Sequence, residues 1–148
     1  MIAVVQRVLE ASVTVAGRVV GRIGAGMVVL GAVEAGDTEA DLEWVAGKLV
    51  GLRIFRNGDK HFDRDVQQIG GSVLLVSNFT VAAETAKGRR PSLSKAAPPE
   101  EARVMFEKFV AAARRLGVPV ETWEFGADMQ VALVNDGPVT VLVESPKG

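Results

Sequence analysis

Several side chains of this sequence could take part in catalysis, and the hydroxyl groups of Ser77 and Thr80 are two of them. Ser77-Asn78-Phe79-Thr80 follows an apolar run and carries two hydroxyl groups and an amide. A hydroxyl acts as a nucleophile only when a base activates it, and the one histidine of the chain is His61. A Ser-His-Asp triad could therefore use only His61, and the charged residues around it favour a solvated side chain.

Other motif matches lack the context that their chemistry requires. The glycine-rich segment 21–26 precedes a predicted strand, whereas a dinucleotide site needs a helix there. Ser92-Leu93-Ser94-Lys95 matches a serine–lysine acyl-transfer pattern whose other two elements are missing. Asp59, Asp63 and Asp65 do not have calcium-loop spacing. With no cysteine and one histidine, a single chain cannot form a zinc–cysteine, iron–sulfur or multi-histidine site.

Two segments remain open to interpretation from their residues alone. A basic cluster occupies a stretch that has no acidic residue, and it suits either phosphate contacts or a solvated loop. We define this basic cluster as Lys87, Arg89, Arg90 and Lys95. The segment Asn135-Asp136-Gly137-Pro138 predicts a corner between two strands, because glycine allows a positive φ and proline favours turns.

Length and composition define the elements that must position these residues. The 148 residues predict a single domain over 1–148. A hydrophobic share of 48% and a charged share of 24% are typical of globular proteins and exclude a disordered chain. The formal charge of −1 gives no overall indication of nucleic-acid binding. The absence of cysteine suits a cytoplasmic protein, and no apolar run approaches the length that spans a bilayer.

Periodicity predicts an α+β domain of mostly antiparallel β-sheets packed with two amphipathic helices. The first helix covers residues 38–52, and the second begins at Pro98-Pro99 and ends at Gly117. Residues 56–65 predict a loop or hairpin tip around Asn57-Gly58. The predicted strands cover residues 2–8, 12–15, 18–20, 26–33, 72–78, 119–126, 129–134 and 139–144.

Two motifs together resemble those of one enzyme family. Ser77-Asn78-Phe79-Thr80 is similar to the S-Q-F-T motif of the D-aminoacyl-tRNA deacylases, and residues 135–140 match their N-x-G-P-V-T motif in full. The family usually has Gln where this chain has Asn78, which is one methylene shorter. The resemblance extends from Met1 to about Leu142. Further similar segments are 6–8, 11–15, 67–68, 70–73, 90–92, 94–95 and 127–131.

This resemblance implies the fold of these deacylases and a cytoplasmic homodimer that hydrolyses the ester between a D-amino acid and tRNA. It also implies removal of glycine mischarged on tRNA-Ala, with no metal and no organic cofactor. The catalytic segment would be Ser77, Asn78, Phe79 and Thr80. In the family the 2′-hydroxyl of the terminal adenosine helps to activate water, and backbone N–H groups near Phe79 and Thr80 stabilise the oxyanion. Because the sequence offers no base for Thr80, we expect it to line the site rather than attack.

The resemblance also implies roles for residues outside this segment. Gly137 and Pro138 would form a Gly-cisPro element that enters the active site of the other subunit and excludes L side chains, and Arg7 would hold their carbonyls. Phe125 and Met129 would line the pocket of the terminal adenine. The basic cluster would then guide the acceptor stem of tRNA.

Two alternatives stay open at this point. A non-catalytic homodimer of the same fold that only binds tRNA or other RNA is one, and Asn78 is the reason to consider it. The other is a metal-free hydrolase of a different acyl ester that uses Thr80 or Ser77 with His61, in which case His61→Ala would abolish turnover.

Overall fold

The computed structural model describes residues 1–123 and 127–146. Its strands are β1 (Ile2–Val15), β2 (Arg18–Ile23), β3 (Gly26–Ala32), β4 (Phe55–Asn57), β5 (Lys60–Arg64), β6 (Ser72–Ser77), β7 (Val120–Glu121) and β8 (Gln130–Glu144). Its helices are α1 (Glu39–Gly51) and α2 (Pro99–Arg115), and a 3₁₀ turn covers Phe79–Ala82. Phe125 lies outside the described residues.

Strand β1 is the centre of a six-stranded sheet. It pairs antiparallel with β8 along nearly its whole length. Its other edge pairs antiparallel first with β3 and then with β2. Strand β6 adds in parallel to β3, and β7 adds in parallel to β6. The sheet is therefore mixed but mostly antiparallel, and the predicted α+β class is confirmed.

Both helices cover one face of this sheet. Alternation along β1 buries Ala3 and Val5 in the same cluster as the helix side chains, as expected when a strand presents one face to a core. In α1 the apolar residues that recur at helical spacing are buried, as expected for an amphipathic helix: Leu42, Val45, Ala46, Leu49 and Val50. In α2, Phe106 and Phe109 are fully buried, and their rings meet edge to face with centroids 5.3 Å apart. The two helices thus hold the strands in a fixed frame.

A close backbone contact fixes the start of the parallel pair β3–β6. Gly26 has a φ of +158°, and a Cβ added there would lie 1.8 Å from the carbonyl oxygen of Ser72. Only glycine lets the two backbones approach this closely. This contact sets the register of β6, whose far end carries Ser77.

The predicted corner at residues 135–138 is wrong, because the chain does not reverse there. The two predicted strands 129–134 and 139–144 form the single strand β8, and both halves pair with β1. Gln6 is opposite Thr140 while Val8 is opposite Asn135, so the residues between form a bulge that faces Arg7 alone. Gly and Pro serve a bulge as well as a turn, and only the partner strand decides which one forms.

Other boundaries differ less. The predicted strands 2–8 and 12–15 join into β1, with register shifts near Val8 that replace the expected break. Residues 56–65, for which a loop or a hairpin tip was predicted, form most of the β4–β5 hairpin. Of the predicted strand 119–126, only Val120–Glu121 forms a strand, β7, and residues 124–126 lie outside the described ranges. Within those ranges no helix has the length and apolar character needed to cross a membrane.

Candidate functional site

The segment Ser77–Thr80 begins where β6 leaves the sheet. The N–H of Asn78 donates to the carbonyl of Gly31 at 2.8 Å, which is the last bond on this side of the ladder. The chain then enters the 3₁₀ turn, where Val81 N–H donates to the Asn78 carbonyl at 3.1 Å. Ser77 and Asn78 are half-buried, whereas Phe79 and Thr80 are exposed.

Two main-chain donors in this turn have no acceptor among the residues that the structure describes. Within residues 1–123 and 127–146, neither the N–H of Phe79 nor that of Thr80 meets an acceptor. The side chain of Asn78 could have capped them, but its oxygen accepts the Thr80 hydroxyl at 2.5 Å instead. Within the described ranges, the segment therefore offers two N–H groups without acceptors where β6 ends.

A cavity of approximately 530 Å³ lies beside this segment. Ser77 and Phe79 form part of its wall, and Met129 lies in the same wall. Trp123 is also in the wall and is held edge to face against Phe106, with centroids 4.4 Å apart. The remaining wall is mostly apolar and includes Leu93, Pro98 and Pro99. The cavity suits a flat apolar group such as a base.

Sequence reasoning did not identify Trp123, Leu93, Pro98 or Pro99 as site residues. They come from the segment after β7, the loop before α2 and the start of α2, and they meet only in the folded chain. Their spacing along the sequence carries no periodic signal. Phe125, which was expected here, lies outside the described residues.

The basic cluster lies on the loop between the 3₁₀ turn and α2. Glu84 and Ser92 form an isolated bridge that closes this loop. Lys95 donates to Glu84 at 2.9 Å, and this hydrogen bond raises the pKa of Lys95. In the part of the chain that is described, Lys87, Arg89 and Arg90 are exposed and have no ion pair. Three of the four cations are thus free for an anionic partner.

The bulge in β8 is held from inside by a buried arginine. Arg7 is 3% exposed. Its Nε donates to the carbonyl of Asp136 at 2.9 Å, and its Nη1 donates to the carbonyl of Ile54 at 2.8 Å. The Asp136 carboxylate lies 3.5 Å from the same Nε. Arg7 therefore ties the bulge to the base of the β4–β5 hairpin.

Asn135 closes the bulge at its neck. Its amide oxygen accepts the N–H of Val139 at 2.8 Å, and its amide nitrogen donates to the Val139 carbonyl at 3.0 Å. Between these anchors the Gly137–Pro138 peptide bond is cis, and both residues are exposed. The bulge is thus a fixed projection with an exposed tip.

Gly137 cannot be another residue without a local change. Its φ is +146°, and a Cβ there would lie 2.7 Å from Val139 Cγ2 and 3.2 Å from Arg7 Nη2. Both neighbours are themselves held, so neither can move away cheaply. The shape of the bulge depends on this one missing side chain.

Strand geometry separates the bulge from the segment Ser77–Thr80 of the same chain. The bulge faces Arg7, while Ser77 pairs with Gly31 and so aligns with Ala3 of β1. The bulge and Ser77 are therefore three strands apart across the sheet and four residues apart along it, which corresponds to a separation of about 20 Å. In one chain, the two elements cannot contact the same small group.

An apolar row lies on the sheet face opposite the helices. Val4 pairs with Leu30 on one side and Leu142 on the other, and directly paired residues point to the same face. Leu142 is 69% exposed, and the nearby end of β6 leads to Phe79, which is 56% exposed. Val4 and Leu30 are half-buried, so the exposed part of this row is Leu142. Contiguous exposed apolar surface marks protein interfaces.

His61 lies away from this arrangement. It is exposed on β5, in the separate two-stranded sheet, and its Nδ1 is 3.3 Å from Arg56 Nη1. The hydrogen bond of the Thr80 hydroxyl goes to Asn78 and not to a histidine. His61 is thus not the hydrogen-bond partner of the Thr80 hydroxyl in this chain.

Comparisons with known proteins agree on one family. A family model described as D-Tyr-tRNA(Tyr) deacylase matches residues 4–144. A D-aminoacyl-tRNA deacylase of Desulfitobacterium hafniense is 56% identical over 147 residues, with 99% of each chain covered. One of Chlorobaculum parvum is 52% identical over 145 residues, with 97% of each covered.

Two solved structures are similar over nearly the whole chain. The structure titled c-Myc DNA Unwinding Element Binding Protein has a TM-score of 0.95 and 39% identity, and covers 99% of this chain and 100% of its own. A probable eukaryotic D-amino acid tRNA deacylase has a TM-score of 0.83 at 16% identity, with 97% and 98% covered. The second match bears on the fold alone.

Proposed function

This chain belongs to the D-Tyr-tRNA(Tyr) deacylase family, and we propose that it removes D-amino acids from tRNA through a site whose chemistry is carried mainly by main-chain groups. Its class is that of an ester hydrolase acting on aminoacyl-tRNA, as in its relatives. The observation that carries the mechanism is the pair of N–H groups at Phe79 and Thr80, which meet no acceptor among the described residues and lie beside the apolar cavity.

In the proposed reaction, water attacks the ester carbonyl and the developing oxyanion accepts hydrogen bonds from these N–H groups. Such a donor contributes about 3–4 kcal/mol to transition-state stabilisation. The 2′-hydroxyl of the terminal adenosine assists the water, because among the described residues the Thr80 hydroxyl bonds to the Asn78 amide and to no side-chain base. Ser77, Asn78, Phe79 and Thr80 shape the site and hold the ester in place.

The cavity beside the segment takes the terminal adenosine. Its apolar wall, with Phe79, Trp123 and Met129, suits an aromatic base. Phe125 keeps its proposed place in the same pocket from the family resemblance. Binding of the base here would place the ester next to Ser77, at the edge of the cavity.

Selectivity for the D configuration comes from the bulge of the other subunit. We place the Gly137 and Pro138 carbonyls where an L side chain would project, so that they reject it while leaving room for hydrogen or a D side chain. The separation of about 20 Å within one chain supports an arrangement across subunits. Arg7 supports it as well, because it holds the bulge rigid.

A homodimer follows from the same proposal. The apolar row of Val4, Leu30 and Leu142 gives the second copy a surface to cover. Covering this face would bring the second copy close to the end of β6, where Ser77 lies. Each active site would then combine the catalytic segment of one subunit with the bulge of its partner.

The basic cluster guides the acceptor stem, with Lys87, Arg89 and Arg90 as its free cations. We expect Arg89→Ala with Arg90→Ala to weaken tRNA binding and to reduce the slope of log affinity against log salt by about 1–2. Titrations of tRNA at several salt concentrations measure both. The matched control is Lys48→Ala with Arg115→Ala, which removes the same charge from the helices. An unchanged affinity and salt slope in the Arg89 and Arg90 variant would contradict this role.

The test of the proposed function is single-turnover deacylation with excess enzyme and matched D-aminoacyl-, L-aminoacyl- and glycyl-tRNA. We expect the D and glycyl esters to be hydrolysed and the L ester to be spared. The glycyl ester is expected to react because glycine has no side chain that a steric filter could reject. Equal rates for all three esters would contradict the filter, and no hydrolysis of any would contradict the proposed activity.

A further inference from the structure

The Thr80 hydroxyl and the Asn78 side chain form a pair inside the proposed catalytic segment. Thr80 Oγ1 lies 2.5 Å from Asn78 Oδ1. This distance falls within the range of O–H···O bonds and below that of N–H···O bonds, so the amide oxygen faces the hydroxyl. An amide oxygen only accepts hydrogen bonds. The hydroxyl of Thr80 is therefore the donor.

The direction of this bond decides what Thr80 can offer to a substrate. A hydroxyl has one hydrogen and two lone pairs, and the hydrogen is committed to Asn78. We infer that Asn78 is a positioning residue that leaves the lone pairs of Thr80 for the substrate, so that Thr80 accepts a hydrogen bond from a donor beside the scissile ester. This inference rests on the proposed function and gives a specific role to two of its residues.

An aminoacyl ester of adenosine has two donors next to the scissile bond. One is the α-ammonium group of the amino acid, and the other is the 2′-hydroxyl of the ribose. Either could donate to Thr80 Oγ1 and be oriented by it. The same hydrogen bond disfavours covalent attack, because the amide of Asn78 cannot take up the hydroxyl proton as a base would.

The test is a double-mutant cycle followed by single-turnover hydrolysis of D-aminoacyl-tRNA. We expect Thr80→Val and Asn78→Leu each to slow hydrolysis about tenfold, the effect of one lost hydrogen bond. The double variant should be no slower than either single variant, because both changes remove the same interaction. Additive losses of about a hundredfold, or an unchanged rate in Thr80→Val, would overturn the inference.

Two controls separate positioning from folding and from nucleophilic attack. Thr80→Ser keeps the hydroxyl and should retain most of the rate. The thermal midpoint should be unchanged in the Thr80 variants, since Thr80 is exposed. A loss of rate that is matched by a lower thermal midpoint would indicate a structural role and overturn the inference. A trapped acyl-Thr80 intermediate would overturn it as well.

Two altered substrates identify the donor. One carries a terminal 2′-deoxyadenosine, and the other carries an acyl group without the α-amine. The ratio of wild-type to Thr80→Val rates should fall to about one with the substrate that lacks the donor. A ratio that stays near ten with both substrates would overturn the inference. A wild-type enzyme inert on D-aminoacyl-tRNA would instead refute the proposed function.

Discussion

Gly137→Ala should slow hydrolysis of D-aminoacyl-tRNA about a hundredfold and lower the ratio of the D-ester rate to the L-ester rate. A Cβ at this position lies 2.7 Å from Val139 Cγ2 and forces the bulge to shift. A displacement of about 1 Å at a positioning element is enough for a loss of this size. Single-turnover rates with D and L esters measure both effects.

The matched control for this change is Gly47→Ala. A Cβ at Gly47, in α1, meets nothing within 4 Å, so this variant should keep both rates. Mixing Gly137→Ala subunits with subunits that carry a disabled catalytic segment provides a second control. Mixed dimers contain one site built from the intact bulge and the intact segment, so part of the activity should return. A Gly137→Ala enzyme with wild-type rates and selectivity would contradict the proposed role of the bulge.

Arg7→Met should lower both the free energy of unfolding and the selectivity for D esters. The change removes two charge-assisted hydrogen bonds and leaves the carbonyls of Ile54 and Asp136 without their donor. Bonds of this kind contribute about 1.5–3 kcal/mol each, so we expect a loss of about 3 kcal/mol. Urea denaturation measures the stability, and hydrolysis of D and L esters measures the selectivity.

Two comparisons make the Arg7 result specific. Arg7→Lys keeps the charge but lacks the planar fork that reaches two carbonyls at once, so an intermediate loss is expected. Arg22→Met removes an exposed arginine of the same sheet and should change neither quantity. Stability and selectivity equal to those of the wild type in Arg7→Met would show that the bulge holds its shape without Arg7.

Local sequence patterns predicted the elements that depend on local spacing. The apolar positions of α1 follow the helical period, and their burial is as predicted. The segment 135–138 was misinterpreted because its turn chemistry is shared by corners and bulges. The deciding fact is its pairing with β1, more than a hundred residues earlier in the chain. Pairing over such separations leaves no trace in a window of neighbouring residues.

The candidate site likewise has parts that the sequence predicted and parts that it did not. The motif resemblance predicted the segment Ser77–Thr80 and the pair Gly137-Pro138, with Phe125 and Met129 as pocket residues, but not the rest of the cavity wall. Trp123 and Leu93 enter the cavity wall from distant segments, and nothing in their local sequence marks them. The Asn78–Thr80 hydrogen bond also needed coordinates, because it depends on the backbone conformation at the end of β6.

The bulge of β8 has a consequence for how such an enzyme can evolve. Under the proposed arrangement, its selective surface consists of main-chain carbonyls, which every amino acid possesses. A side-chain substitution cannot enlarge or shrink such a surface, and Gly137 admits no side chain without displacing its neighbours. In lineages that carry this bulge, the selective surface would therefore change only when the residues that hold it, Arg7 and Asn135, are substituted. While those two residues are kept, the handedness of the accepted substrate would stay the same.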